Sequence, residues 1–166
     1  MSTEMYTFMA RMLSQRAMSE ELSADRLRVL TAWFERGIPF NVFVGLRVDA
    51  LARGRAVLRI PWRHELIGDL LRPAVHGGVI SMLADTAGGA AIFTMLDRDN
   101  DRVSTVDLRV DYLQPGAPVD LVCRADVVRM GNRVGVMRAE VFSGDPDVDA
   151  RPIATAQGVY NIVRRD

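Results

Sequence analysis

Residues 79–96 form one run that is apolar almost throughout and carries a single ionisable side chain, Asp85. A helix of that composition has almost no polar face to offer water, so it must be enclosed by lipid or by protein. The run is about long enough to span a bilayer. Against that, a carboxylate inside the membrane is costly, no second such run exists, and amphipathic strand patterns follow it. The expectation is therefore a helix over 77–96, buried in protein.

What would bury it can be read from the flanks. Two strand-like runs precede the helix, at 43–51 and 55–61, with Ala52-Arg53-Gly54 as the turn between them. Residues 62–75 read as irregular, punctuated by Gly68 and Pro73. Four more strand-like runs follow, at 103–112, 118–129, 133–143 and 151–163. They are separated by Gln114-Pro115-Gly116, Met130-Gly131-Asn132 and Gly144-Asp145-Pro146. A six-stranded antiparallel sheet wrapped around the one long helix satisfies this order, an α+β architecture. Residues 3–36 read as helical, from Met5, Phe8, Met9 and Met12, then Leu27, Leu30, Trp33 and Phe34. Ser19 and Ser23 are expected caps, and Gly37-Ile38-Pro39 an expected end. The chain thus divides into an N-terminal helical extension, 1–38, and a main domain, 39–166.

At 166 residues the chain has room for one core of ordinary size. Lys+Arg and Asp+Glu both number 21, so no net charge argues for nucleic acid or an anionic membrane. Cys123 is the single cysteine, so no intrachain disulfide can form; within LVCRADVV it reads as a small buried strand residue. The first residues lack the apolar core of a secretory signal, and a cytoplasmic location is expected.

The chemistry concentrates in His76-Gly77-Gly78-Val79-Ile80-Ser81-Met82-Leu83-Ala84-Asp85. Gly77 and Gly78 allow a ligand or another backbone to come close. The first N–H groups of a helix have no partner within it, and the dipole there is positive, so this end can stabilise an oxyanion. Asp85 has apolar sequence on both sides. Desolvation there should raise its pKa and favour a base or nucleophile. The residues equally allow a mid-helix carboxylate bonded to Ser81 or Thr86. Gly77 and Asp85 are separated by about 12 Å along the helix. If both act on one carbonyl, Asp85 must come from a second subunit. The small residues Ala84, Ala87, Gly88, Gly89, Ala90 and Ala91 would let a partner helix approach, or let the helix sit on its own sheet. His76 either caps the Gly-Gly turn or takes a direct part. His64 has no companion at metal-ligand spacing, and no Cys/His cluster supports zinc. Walker A, dinucleotide and G-x-S-x-G patterns are absent.

The HGG–helix–Asp85 pattern resembles the hotdog-fold acyl-CoA thioesterases of the PaaI-like, phenylacetate-pathway group. So do the phrase Ser104-Thr105-Val106-Asp107-Leu108-Arg109-Val110-Asp111-Tyr112-Leu113-Gln114-Pro115-Gly116 and the turn Gly131-Asn132-Arg133. The resemblance spans about residues 39–163. It implies a hotdog fold and hydrolysis of an acyl-CoA thioester without cofactor or metal. Asp85 would be the nucleophile or general base, the Gly77 N–H the oxyanion donor, and His76 would shape that turn beside Gly78. Thr105 would orient the water or the carboxylate. Arg133, and after it Arg129, would meet the CoA phosphates. A homodimer or dimer of dimers is implied, with acyl-CoA as the ligand and neither nucleic acid nor membrane as partner. The family commonly has Asn or Gln six residues before the motif His. Here that position is Leu70, so Asp69 or Arg72 would have to substitute. Two alternatives remain: a hotdog hydratase or dehydratase, and a non-catalytic acyl-CoA-binding module.

Overall fold

The computed structural model of the chain describes residues 22–98 and 100–164. The helix expected over 3–21 and the cap at Ser19 lie outside them. Helix α1, Ala24–Ala32, begins where Ser23 Oγ accepts the Arg26 N–H at 3.2 Å, a cap that relieves one unpaired donor of the first turn. It runs into a π-helical turn, Trp33–Gly37. Pro39 then opens a second helix, α2 (Pro39–Val44), where the sequence suggested an end. Proline suits a first helical turn, where no N–H is needed. Gly45, at φ 74°, stops α2 in the left-handed region. The strand expected from residue 43 therefore starts at Arg47.

The sheet comprises β1 (Arg47–Ala52), β2 (Arg55–Ile60), β5 (Arg102–Tyr112), β6 (Leu121–Met130), β7 (Val134–Ser143) and β8 (Ala154–Val163). Its order is β1-β2-β6-β7-β8-β5, antiparallel throughout. Residues expected to be irregular hold a 3-10 turn, His64–Leu66, and a small hairpin of β3 (Ile67–Asp69) and β4 (Ala74–Val75). The long helix, α3 (Gly77–Phe93), is the expected one, ending three residues early. Thr94 caps it: its hydroxyl donates to the Ala91 carbonyl at 2.6 Å and accepts the Gly54 N–H at 2.7 Å.

The sheet curls around α3. Leu83, Ala84, Ala87, Ala90, Ala91 and Ile92 are completely buried against inward residues such as Leu58, Ile60, Met137 and Val141. Among the described residues no helix is long and apolar enough to cross a membrane. Missing side chains set how closely helix and sheet approach. A Cβ at Gly135 of β7 would lie 2.4 Å from Ile92 Cδ1. One at Gly88 would lie 2.4 Å from Tyr160 Oη and 2.5 Å from Met137 Cε. The small residues of α3 thus serve packing against the chain's own sheet, with Gly89 turned outward and only partly buried.

Alanine at Gly88 and at Gly89 should therefore act oppositely. Either gains up to about 1 kcal/mol of helix propensity. Gly88→Ala should nevertheless lose about 1–3 kcal/mol to overpacking. Gly89→Ala, whose Cβ meets nothing nearer than 3.7 Å, should be neutral or stabilising. Urea midpoints of the two variants check this; equal midpoints would contradict the close-approach account.

Candidate active site

The polar groups of α3 form two clusters. The first is at its N-terminus. His76 is the N-cap, with φ −61° and ψ 131°, and its Nδ1 accepts the Gly78 N–H at 2.9 Å. A neutral ring then carries its proton on Nε2. The Val79 N–H bonds the His76 carbonyl. Of the first-turn donors, the Gly77 N–H is left without a protein partner among the described residues. His76 is itself placed by its N–H bond to the Leu66 carbonyl at 2.8 Å. Gly68 makes that approach possible, since a Cβ there would lie 2.6 Å from His76 Cα. The Gly77 carbonyl accepts from Tyr112 Oη at 3.0 Å and from Ser81 Oγ at 3.2 Å.

The second cluster surrounds Asp85, two turns further along. Its carboxylate is half-buried and accepts from Thr105 Oγ1 at 2.8 Å and from Tyr160 Oη at 3.2 Å; Tyr160 Oη also meets the Asp85 carbonyl oxygen at 2.8 Å. The hydroxyls that hold Asp85 come from strands, not from Ser81 or Thr86. Burial, and after it the charge of Asp85, push the Tyr160 hydroxyl above its ordinary 10.0. Tyr160 is thus a fixed donor at neutral pH.

Thr105 and Tyr112 are seven residues apart on β5, so a regular strand would point them to opposite faces. They face the same helix because β5 is bulged: Thr105 pairs with Tyr160 and Asp107 with Val159, leaving Val106 without an opposite number. One extra residue reverses the side-chain parity. Thr105 then reaches Asp85, while Tyr112 reaches Gly77.

Beside Asp85 lies a groove of about 310 Å³, lined by Ile38, Gly89, Phe93, Val103 and Thr105, with Trp33 and Phe34 of the π turn. The groove is mainly apolar, with the carboxylate on its wall. Buried Asn41 also lines it, donating Nδ2–H to the Phe34 carbonyl at 2.9 Å.

Of the residues singled out from sequence, Asp85 joins Thr105, and His76 joins Gly77 and Gly78. Within one chain the two groups stay about 12 Å apart along α3. Arg133 is exposed in the turn between β6 and β7, at the sheet end where Val134 and Ser104 both pair with Asn161. Arg129 lines a separate surface groove with Arg53, Arg55 and Arg138. Cys123 is buried in β6. Beside the exposed Leu70 lies Asp69. Its Oδ1 accepts the Leu71 and Arg72 N–H groups at 2.9 and 3.2 Å, and those bonds lower its pKa, the Arg72 one first. Arg72 sits 3.7 Å from the same carboxylate. Tyr112 and Tyr160 were not singled out. For Tyr160 a signal existed: a tyrosine on the inward register of a strand needs a partner for its hydroxyl.

The family described as Thioesterase superfamily matches residues 73–150. Protein VNG_1336C of Halobacterium salinarum is 38% identical over 133 residues, 75% of this chain and 84% of that protein. The medium/long-chain acyl-CoA thioesterase YigI of Salmonella typhimurium is 30% identical over 151 residues, 83% of this chain and 97% of its own. A crystal structure from Shewanella oneidensis, described as related to the thioesterase superfamily, superposes with a TM-score of 0.73 at 29% identity. It covers 83% of this chain and 95% of its own.

The alkaline limb of stability should report the buried hydroxyl. The folded state holds the Tyr160 proton more tightly than the unfolded chain does. That contribution is complete below about pH 10 and is lost as pH rises through the elevated folded value. Cys123, whose thiol is pushed up from 9.0 by burial and then by Glu140, acts in the same direction from a lower starting point. Urea midpoints should fall from about pH 9 upward. Cys123→Ala should flatten the early part and Tyr160→Phe the later part. An unchanged slope in both variants would contradict the assignment.

Proposed function

The chain belongs to the thioesterase superfamily, and from that membership we propose that it hydrolyses acyl-CoA thioesters at a site completed by a second copy of itself. One observation carries the reading: the Asp85 carboxylate is held by Thr105 and Tyr160 at the side of an apolar groove. In this mechanism Asp85 takes a proton from water as the oxygen adds to the thioester carbonyl carbon. The Gly77 N–H of the partner's α3 receives the developing oxyanion. The C–S bond then breaks, the proton passes to sulfur, and free acid and CoA leave. His76 shapes the donor turn. The HGG, Asp85 and Tyr112-Leu113-Gln114-Pro115-Gly116 phrases support a PaaI-like member, acting in the cytoplasm. Residues 39–166 form the thioesterase domain and 1–38 the extension. The name of the YigI relative supports an apolar acyl chain of medium or greater length.

Two arguments favour a shared site. The about 12 Å between Gly77 and Asp85 exceeds what one carbonyl can bridge. Among the described residues strand β5 is also an edge of eleven residues, with Val106 66% and Tyr112 53% exposed. An edge of that length is normally covered. A two-fold pairing along it would run two α3 helices past each other and make two equivalent sites.

Asp85→Asn should lower turnover by at least about 100-fold while leaving the fold intact. Gly77→Pro should be nearly as damaging. It deletes the N–H at a position where proline fits a helix, after a residue already in the extended backbone that proline requires. Mixed and exchanged, the two dead variants should regain activity, because one site of each heterodimer receives both intact groups. Near-full activity of Asp85→Asn sinks the base assignment. Verified heterodimers that stay inactive, or an active monomer in sedimentation, sink the shared site.

Arg133 is assigned to the CoA phosphates on the same reading. Arg133→Ala should raise the KM for acyl-CoA and spare a thioester that lacks the nucleotide. Equal effects on both substrates would remove the assignment.

A further inference from the structure

Asp85, Gly89 and Phe93 follow one another at four-residue intervals and so share one face of α3. Phe93 lies about 12 Å beyond the carboxylate. Gly89, between them, has no side chain and leaves the groove floor open. Opposite, β5 runs the other way, with Thr105 beside Asp85 and Val103 toward Phe93. An acyl chain whose carbonyl sits at Asp85 has this apolar groove to follow.

The course ends at an aromatic wall. The Trp33 ring meets Phe34 and Phe93 edge-on, each with centroids 4.9 Å apart. Adjoining the wall is a second groove of about 520 Å³, lined by Val29 and Leu30 together with Arg26, Arg98, Asp101 and Arg102. Trp33, Phe93 and Val103 border both spaces. Phe93 belongs to α3 and Val103 to the sheet, so neither can leave without disturbing the frame. Trp33 belongs to the π turn and is 39% exposed. Its ring lies over Gly37, where a Cβ would be 2.6 Å from Trp33 Cδ1. Gly37, which by sequence reads as a helix end, makes room for the indole.

Building on the hydrolase reading, we propose that Trp33 is the specificity-determining residue. Its indole closes the acyl groove that begins at Asp85 and sets the longest straight chain accepted, favouring medium-length acyl groups over long ones. Removing it joins the first groove to the second.

The test uses the full chain and straight-chain acyl-CoAs from butyryl to palmitoyl, followed by thiol release. Wild-type kcat/KM should climb with length and then drop. Trp33→Ala should move the optimum to longer chains, raising the palmitoyl value relative to that of the wild-type optimum at least about tenfold, within the range a few methylenes command. Val29→Trp added to Trp33→Ala should refill the space and move the optimum back. Trp33→Leu, a milder change, should shift it part of the way and serves if the alanine variant does not fold. An unmoved optimum, or an equal loss at every length, overturns the proposal. Should the wild type release no thiol from any acyl-CoA, the hydrolase reading fails, yet the groove is still tested. The chain has two tryptophans, so Trp62→Phe leaves Trp33 as the only source of tryptophan emission. Saturable, length-dependent change in its emission on titration with straight-chain fatty acids supports the groove; no change at any length overturns it.

Discussion

A helix that is apolar nearly all round must be enclosed, and the structure follows from that requirement. Enclosing α3 takes a sheet wide enough to curl around it and small residues where the two meet. Ala84, Ala87, Ala90 and Ala91 are completely buried, and Gly135 and Gly88 remove the Cβ atoms that would hold helix and sheet apart. The same enclosure governs Asp85. A half-buried carboxylate on such a helix needs donors, and neighbouring strands supply them through Thr105 and Tyr160. Packing and carboxylate orientation are thus one arrangement, because Tyr160 is both a buried core ring and a hydrogen-bond donor.

Strand β5 links the two polar clusters. Its bulge lets Thr105 and Tyr112 face α3 together, one at the carboxylate and one at the helix N-terminus. Among the described residues no strand pairs with its other side. Two polar clusters about 12 Å apart along α3, both served by this strand, are the features that the two-fold reading joins.

The segment before β1 contributes in a different way. The π turn after α1 holds Trp33 and Phe34 against Phe93, and buried Asn41 of α2 fastens that turn through the Phe34 carbonyl. Glu35 accepts the Val48 N–H at 2.9 Å, tying the turn to β1. These residues pack on the core and at the same time wall the groove beside Asp85.

By itself the sequence determined the buried helix, the six strands and their short turns, because hydrophobic periodicity and Gly/Pro punctuation are local signals. It also marked Asp85 and the His76-Gly77-Gly78 turn, since a lone carboxylate in an apolar run and paired glycines at a helix start stand out in any context. The short helix at Pro39 was not legible: proline and glycine punctuate a segment without saying whether a helix starts or stops there. For Asp85 the residues alone left a bond to Ser81 or Thr86 open, because sequence proximity favours neighbours on the helix, while the family resemblance pointed to Thr105. Only tertiary structure decided that Tyr160 joins Thr105 at the carboxylate, that Tyr112 reaches Gly77, and that Trp33 stands beside Phe93. Each of these contacts joins residues at least 20 positions apart. They depend on strand register, on one bulge and on the depth to which α3 sinks into the sheet, quantities that the whole fold sets together.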